Sequence, residues 1–305
     1  MNRIAIVLLL ALTSTAAFSK TMNSRSQTSK SSDSSFKTND MYAPTLGQLE
    51  LYLGANVPYG TEDATPIGQK KEVSGYLANG KLAYGLLDWL ALYATQGYKS
   101  YNYNNTNPVS TSKIVGLTNT AFGIKGIMAF DIPFIYYDAA YSIGLADKYK
   151  LSNSTREETA VSDRPELKLQ MGGGVPIEMF SGGALVALHL YQQGERTVTT
   201  AGLPDVVIKA NAGTGFDWKV YGQIDVNWKL GISYEENKVN EYTTSFNGFN
   251  STTTELTQTA ITVYGIIPLF QTFEVILSAA KIDYKQAVNT TYNRYDLNSA
   301  IRWAF

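Results

Sequence analysis

From Leu46 onward, apolar and polar residues alternate with a period of two in one segment after another. In "LELYLGAN", Leu49, Leu51, Leu53 and Ala55 fall on one face, and Glu50, Tyr52, Gly54 and Asn56 on the other. "ELKLQMG" sets Leu167, Leu169 and Met171 against Glu166, Lys168 and Gln170. "GFDWKVYGQ" sets Phe216, Trp218 and Val220 against Asp217 and Lys219, and "WKLGISYE" sets Trp228, Leu230, Ile232 and Tyr234 against Lys229, Gly231, Ser233 and Glu235. "FIYYDAAYSIG" puts Asp138 opposite Ile135, Tyr137, Ala139, Tyr141 and Ile143. Successive side chains of a strand point to opposite sides, so these segments read as strands with one greasy and one wet face. Two segments, "VSGYLANGKLAYG" and "FEVILSAAKIDY", change phase near Asn79 and Ala280, where a β-bulge would restore the pattern.

The strands are punctuated in two different ways. Short turns fall at "GLLDW", "FDIPF", "MFSGG", "DVNW" and "PLFQTF", spaced by roughly 45 residues. Between them lie longer stretches rich in Asn, Thr, Ser and Gly: "PYGTEDATPIGQ", "NYNNTNPVSTS", "KLSNSTREETAVSD", "ERTVTTAGLP", "NKVNEYTTSFNGFNST" and "QAVNTT". Five short turns alternating with six long loops divide the chain into about twelve strands, with both chain ends on the short-turn side. The last strand, "YDLNSAIRWAF", runs to the final residue, so something must hold both of its edges.

Alternation alone suits a soluble sandwich or propeller as well as a membrane barrel, because either can bury the greasy face. The start of the chain separates them. "MNRIAIVLLLALTSTAAFSK" has Arg3, an apolar run and small residues at Ala17 and Ser19, which is the pattern of a secretory signal. An N-terminal anchor is the alternative, but a spanning helix needs about 20 apolar residues. The expected organisation is a signal peptide over 1–19, a Ser-rich disordered leader over 20–45 and a barrel over 46–305. The chain has no cysteine, so disulfides cannot close it. In hydrocarbon no water satisfies backbone groups, so a spanning sheet must close on itself. The expected fold is therefore all-β: a transmembrane antiparallel up-and-down β-barrel with short periplasmic turns and long extracellular loops. Its expected home is the cell outer membrane of a Gram-negative-type bacterium, after removal of the signal.

Aromatic residues support that orientation. Trp89, Phe134, Trp228, Phe273, Trp303 and Phe305 lie near short turns or the chain end, and Tyr98, Tyr101, Tyr103, Tyr149, Tyr242, Tyr284 and Tyr292 near long loops. Two interfacial girdles are expected. The closing strand, with Tyr295, Leu297, Ile301, Trp303 and Phe305 on one face, resembles the C-terminal signal by which the barrel-assembly machinery recognises bacterial outer-membrane barrels. "LAYGLLDWLALYATQGY" resembles the strand–turn–strand unit of outer-membrane transporters grouped under the MetA pathway of phenol degradation. That likeness implies movement of small apolar or aromatic molecules.

The inward face carries charges of both signs: Glu50, Lys125, Asp138, Glu166, Lys168, Asp217, Lys219, Lys229, Glu235, Glu274 and Arg302, with His189 among them. Ionisable groups at membrane depth pair with one another or line water. The set reads either as a self-satisfied network or as the lining of a narrow pore. The formal net charge is −1, and losing Arg3 with the signal makes it one unit more negative, so no basic field points to nucleic acid. The expected partners are outer-membrane lipid, the assembly machinery and a small-molecule solute. An outer-membrane lipid hydrolase is a weaker reading, because the single histidine, His189, is followed two residues on by Tyr191 and has no serine in that relation. One histidine without carboxylates at ligand spacing is also a poor metal site, so no cofactor is expected. A closed structural or surface-interaction barrel, using loop aromatics such as Phe246 and Phe249, is the remaining alternative.

Overall fold

The computed structural model describes residues 41–305, apart from residues 65–68, 107–108, 131–132, 145–149, 152–155, 160–163, 199–205, 247–248, 271 and 287–289. The strands are β1 (Leu49–Ala64), β2 (Gln69–Leu87), β3 (Leu90–Thr106), β4 (Val109–Leu117), β5 (Thr120–Ala129), β6 (Phe134–Ile143), β7 (Lys150–Leu151), β8 (Arg156–Thr159), β9 (Glu166–Ile177), β10 (Phe180–Tyr191), β11 (Gly194–Val198), β12 (Val206–Ala210), β13 (Gly213–Asp225), β14 (Lys229–Val239), β15 (Tyr242–Phe246), β16 (Phe249–Thr253), β17 (Leu256–Phe270), β18 (Phe273–Gln286) and β19 (Thr290–Ala304). Twelve staves close the barrel, with β4 and β5 forming one interrupted stave and β7, β8, β11, β12, β15 and β16 lying outside the ring.

Closure is made by β1 against β19, which pair from Glu50↔Ala304 to Asp63↔Thr291. The very ends are zipped together: Leu49 N–H donates to Phe305 O at 2.7 Å, and Phe305 N–H to Leu49 O at 2.9 Å. Ala304 N–H meanwhile donates to Thr272 O at 2.8 Å. The end of β19 is thus held on both edges, Phe305 by Leu49 and Ala304 by Thr272.

The period-two alternation becomes an outside and an inside. Leu53, Leu92, Ile124, Leu169, Val186, Ile232, Val263, Leu277 and Ile301 are all exposed, on the outer wall. An apolar surface that wraps a whole barrel cannot face water without association, and it matches the lipid-facing band of a membrane barrel. No helix among the described residues is long and apolar enough to span a membrane.

Short connections join β2 to β3, β5 to β6, β9 to β10, β13 to β14 and β17 to β18, at or beside the expected positions; the one expected at "MFSGG" lies earlier, at Glu178 and Met179, with Phe180 to Gly183 already in β10. The long stretches carry more strand than their polarity suggests. β11, β12, β15 and β16 form a separate four-stranded sheet, joined by Gly194↔Ala210, Ala210↔Thr244 and Tyr242↔Thr253. Thr, Val, Tyr and Phe favour a pleated, half-buried surface, so these hairpins keep pairing beyond the ring.

The two expected bulges are absent. β2 pairs with β3 in unbroken register through Asn79↔Gly97, and β18 with β19 through Ala280↔Asp296. The apparent phase changes come from apolar residues on the inner face. Val73, Leu77 and Ala83 point inward on β2, and Ile276, Ala280 and Ile282 on β18. The real irregularities lie elsewhere. Register shifts fall at Gly85/Leu87 and Pro268/Phe270, next to short turns. In the interrupted stave, Tyr98↔Leu117 and Thr95↔Ala121 enclose one extra residue around Thr118. Side chains mend the ladder there: Gln96 Nε2 donates to Thr118 O at 2.8 Å, and Gly97 N–H to Thr118 Oγ1 at 3.0 Å. On β1, Pro58 has no N–H to give, and the β1–β2 ladder is unpaired between Asn56↔Leu77 and Gly60↔Val73. Gly75 lies in that gap at φ 131°, a conformation that favours glycine.

The girdles also need correcting. Trp89, Trp228, Trp303 and Phe305 are outward near the turns, joined by Phe130, Phe180 and Phe270. Phe134 is only 2% exposed and packs inside the barrel. At the loop end Tyr59, Tyr76, Tyr98 and Tyr295 are outward. Tyr101 and Tyr284 instead turn in toward Asn56 and Arg294, Tyr103 makes an edge contact with Tyr101, and Tyr242 packs on Arg164. A tyrosine satisfies its hydroxyl or its ring face with buried polar groups as readily as with headgroups. Tyr149 and the side chain of Tyr292 lie outside the described residues.

Candidate functional site: the barrel lumen

The inner ends of β1, β2, β5, β18 and β19 bring together Glu50, Lys81, Lys125, Glu274 and Arg302 near the short-turn end. Glu50 is fully buried and accepts from Lys125 Nζ at 2.6 Å and Lys81 Nζ at 2.9 Å, with Arg302 Nε 3.8 Å away. Arg302 Nη1 reaches Glu274 at 2.9 Å. Desolvating five charges is costly, and the mutual pairing offsets that cost only while every member stays in place. Lys81 was missed in the sequence because the misread phase of β2 hid its inward direction.

The end of the expected leader completes this cluster. Met41 and Tyr42 are buried, and Met41 packs with Phe134, Tyr136, Leu185 and Tyr221 inside the barrel. The Tyr42 ring lies 4.3 Å from the Arg302 guanidinium and 5.5 Å from Lys125 Nζ, both within cation–π range. Burial, and then the Glu50 carboxylate, push the Tyr42 phenol well above its usual pKa, so it stays neutral. Residues 41–45 then turn into β1: Gln48 N–H donates to Thr45 O at 2.9 Å, and Gly47 N–H to Gly85 O at 2.9 Å. Gly85 leaves room for this. A Cβ there would stand 1.8 Å from Thr45 O. The segment packs into the turn end of the lumen, and nothing in the Ser-rich composition ahead of it signals this.

Above this segment the lumen is hollow. A cavity of about 670 Å³ is bordered by Tyr42, Tyr93, Tyr136, Leu185, Lys168 and Lys219, among others. A second space of about 270 Å³ shares Tyr52, Leu77, Asn79 and Lys219 with it. Asp138 accepts from the hydroxyls of Tyr93 at 2.6 Å and Tyr136 at 2.9 Å. Lys219 pairs with Glu235 at 3.3 Å, and Lys229 with Asp225 at 3.6 Å near the turn. On β1 and β19, Asn56 Nδ2 donates to Asp296 at 2.8 Å and to Asn298 at 2.6 Å. Arg294 holds Asp296 through Nε at 2.6 Å and Nη2 at 2.9 Å. Alternation along β19 puts Asp296 on the polar face with Arg302, but does not single out its ion pair with Arg294.

Toward the loop end, β9, β10 and β13 place His189 between two acids. Its Nδ1 meets Glu166 Oε1, and its Nε2 meets Asp217 Oδ2 at 2.6 Å. The expectation that His189 lacks neighbouring carboxylates is overturned: they come from adjacent strands rather than from nearby sequence. With both ring nitrogens committed, the imidazole offers no free nitrogen to activate a nucleophile. Arg164 caps this end between the rings of Tyr191 at 4.8 Å and Tyr242 at 4.2 Å. Lys168 faces the cavity with no ion pair or hydrogen bond among the described residues. Among the described residues, no group of His, Cys, Asp or Glu is arranged to hold a metal ion.

No family model matches the chain. No curated protein matches it either. Among solved structures, the COG4313 outer-membrane channel from Pseudomonas putida F1 superposes with a TM-score of 0.65 at 10% identity, covering 88% of this chain and 99% of that one. The transport unit of the autotransporter AIDA-I from Escherichia coli superposes with a TM-score of 0.51 at 9% identity, covering 88% and 93%. At such identities the likeness is one of architecture, and the chain has the fold of a bacterial outer-membrane β-barrel.

Proposed function

We propose that the protein is an outer-membrane channel for small molecules, including apolar or aromatic solutes, held shut at its turn end by residues 41–45. The observation that carries this reading is a hollow, charged lumen inside an apolar wall, with its floor made by the chain's own leading segment. A twelve-stranded ring lies between the 8 strands whose side chains fill the interior and the 16 to 18 that leave an aqueous channel. Such a ring can conduct when its stopper leaves and is closed when it stays. The likeness to a solved outer-membrane channel supports the same reading by fold analogy. Export of the chain and recognition of its Tyr295, Leu297, Ile301, Trp303 and Phe305 face by the assembly machinery belong to this proposal.

The test is conductance in a planar bilayer. Residues 20–305, refolded, are expected to pass little current. Gly85→Val, which drives a side chain into Thr45, and a chain lacking residues 20–45 are both expected to show steady single-channel steps. Silence from all three proteins contradicts a channel and favours a closed structural barrel. Full current from the intact protein contradicts the stopper.

A further inference from the structure

Resting on the channel reading, we propose that the lumen cavity is a binding site for a small aromatic carboxylate, with its ring on the tyrosine floor and its carboxylate on Lys168. The size fits: small-molecule sites run from about 300 to 1,000 Å³, and this cavity holds about 670 Å³.

The chemistry of the walls decides the ligand's charge. Each acid bordering the cavity accepts at least one hydrogen bond or ion pair, although Asp217 Oδ1 accepts none. Asp138 takes the Tyr93 and Tyr136 hydroxyls, Asp217 takes His189, and Glu235 takes Lys219. Of the bordering ammonium groups, Lys81 and Lys125 share Glu50, and Lys219 uses Glu235. Lys168 alone among the described lumen cations has no partner. Lys168 is thus the ammonium on this wall left without an ion pair, and a ligand that completes it is an anion.

The position of the polar and apolar walls decides the ligand's shape. On β9 and β10, Lys168 pairs with His189, whereas Leu185 pairs with Gly172, four residues closer to the short turn. Leu185 and Tyr136 stand with Met41 in the cluster at the stopper. Descending from Lys168, the wall passes Gln170 and reaches Leu185, Tyr136 and the Tyr42 ring. A ligand with a carboxylate at one end and a flat apolar body at the other follows that gradient. Tyr42 and Tyr136 are themselves only 3% and 2% exposed, and the half-buried Tyr52 and Tyr93 on the same cavity add the accessible aromatic surface for a flat ring.

Benzoate is the probe, and calorimetric titration of refolded residues 20–305 in detergent is the measurement. Benzyl alcohol, which keeps the ring and lacks the charge, is the control. Wild type is expected to bind benzoate, with Lys168→Gln weakening it at least tenfold and Lys168→Arg restoring most of the affinity. Benzyl alcohol is expected to bind wild type and Lys168→Gln alike, which also shows that the variant is folded. No measurable benzoate binding by wild type, or equal binding by wild type and Lys168→Gln, overturns the proposal. Conductance of Gly85→Val separates the two readings. Current without benzoate affinity keeps the channel and removes the site. Benzoate affinity governed by Lys168 without any current keeps the site and removes the channel.

Discussion

The two ends of the lumen solve the same problem in different ways. Both must keep charges inside a sheet whose outside is apolar. At the turn end, Glu50 is fully buried under three cations, and Met41 and Tyr42 from the segment before β1 pack beside it inside the barrel. At the loop end, His189 sits between Glu166 and Asp217, both partly accessible, and the neighbouring hairpins extend beyond the ring as a separate sheet. One end is a dry lock whose members depend on one another; the other is a set of pairs that water can replace. Burial therefore separates where the barrel is held from where it is free to vary.

The sharpest way to break this comparison is to remove the centre of the lock. Glu50→Gln leaves Lys81, Lys125 and Arg302 short of a negative charge in a fully buried place. Breaking a buried pair by removing one partner costs about 3–5 kcal/mol. Guanidinium unfolding of the refolded barrel is expected to show a loss of that order. At the open end, Asp217→Asn weakens one of the two bonds that hold His189, and hydrogen bonds to charged groups contribute about 1.5–3 kcal/mol. The same unfolding experiment is expected to show a smaller loss than for Glu50→Gln, with the stopper's seal unchanged in conductance. Equal losses at the two sites would erase the distinction between lock and replaceable pair. Outermost, Lys238 Nζ and Glu255 pair at 2.9 Å in the open. Exposed pairs contribute about 0–1 kcal/mol. Lys238→Ala is expected to change stability by less than either interior substitution, with the small difference vanishing at high salt.

Much of the ring was legible because a strand's side chains alternate without exception. Glu50, Asp138, Lys219 and Glu235 could be assigned a face from their neighbours alone, and the short turns fall where Gly, Asp, Asn and Pro punctuate the pattern. What stayed hidden depends on pairing between distant segments. His189 meets acids 23 and 28 residues away in sequence, a relation fixed only by the register of β9 and β13 against β10. The misplaced bulges have a similar cause. Leu77 and Ile276 are apolar yet face the interior: Leu77 borders the cavity, and Ile276 packs with Tyr264, Ile266 and Ala300. The extra residue near Thr118 lies between two polar residues that look like ordinary loop, and only Gln96 on the next strand shows that the ladder is mended there. The stopper was least legible. Met41 and Tyr42 end a stretch of Ser and Thr, and two residues carry no period.

The central claim is that one face of every stave meets lipid and the other a shared interior. The chain has no cysteine, so single cysteines can be introduced one at a time. The most direct measurement places a fluorescent thiol probe at Leu169→Cys or at its neighbour Lys168→Cys, in vesicles containing brominated lipid. Strong quenching is expected at position 169 and little at 168. Equal quenching at both positions, or the reverse order, contradicts it.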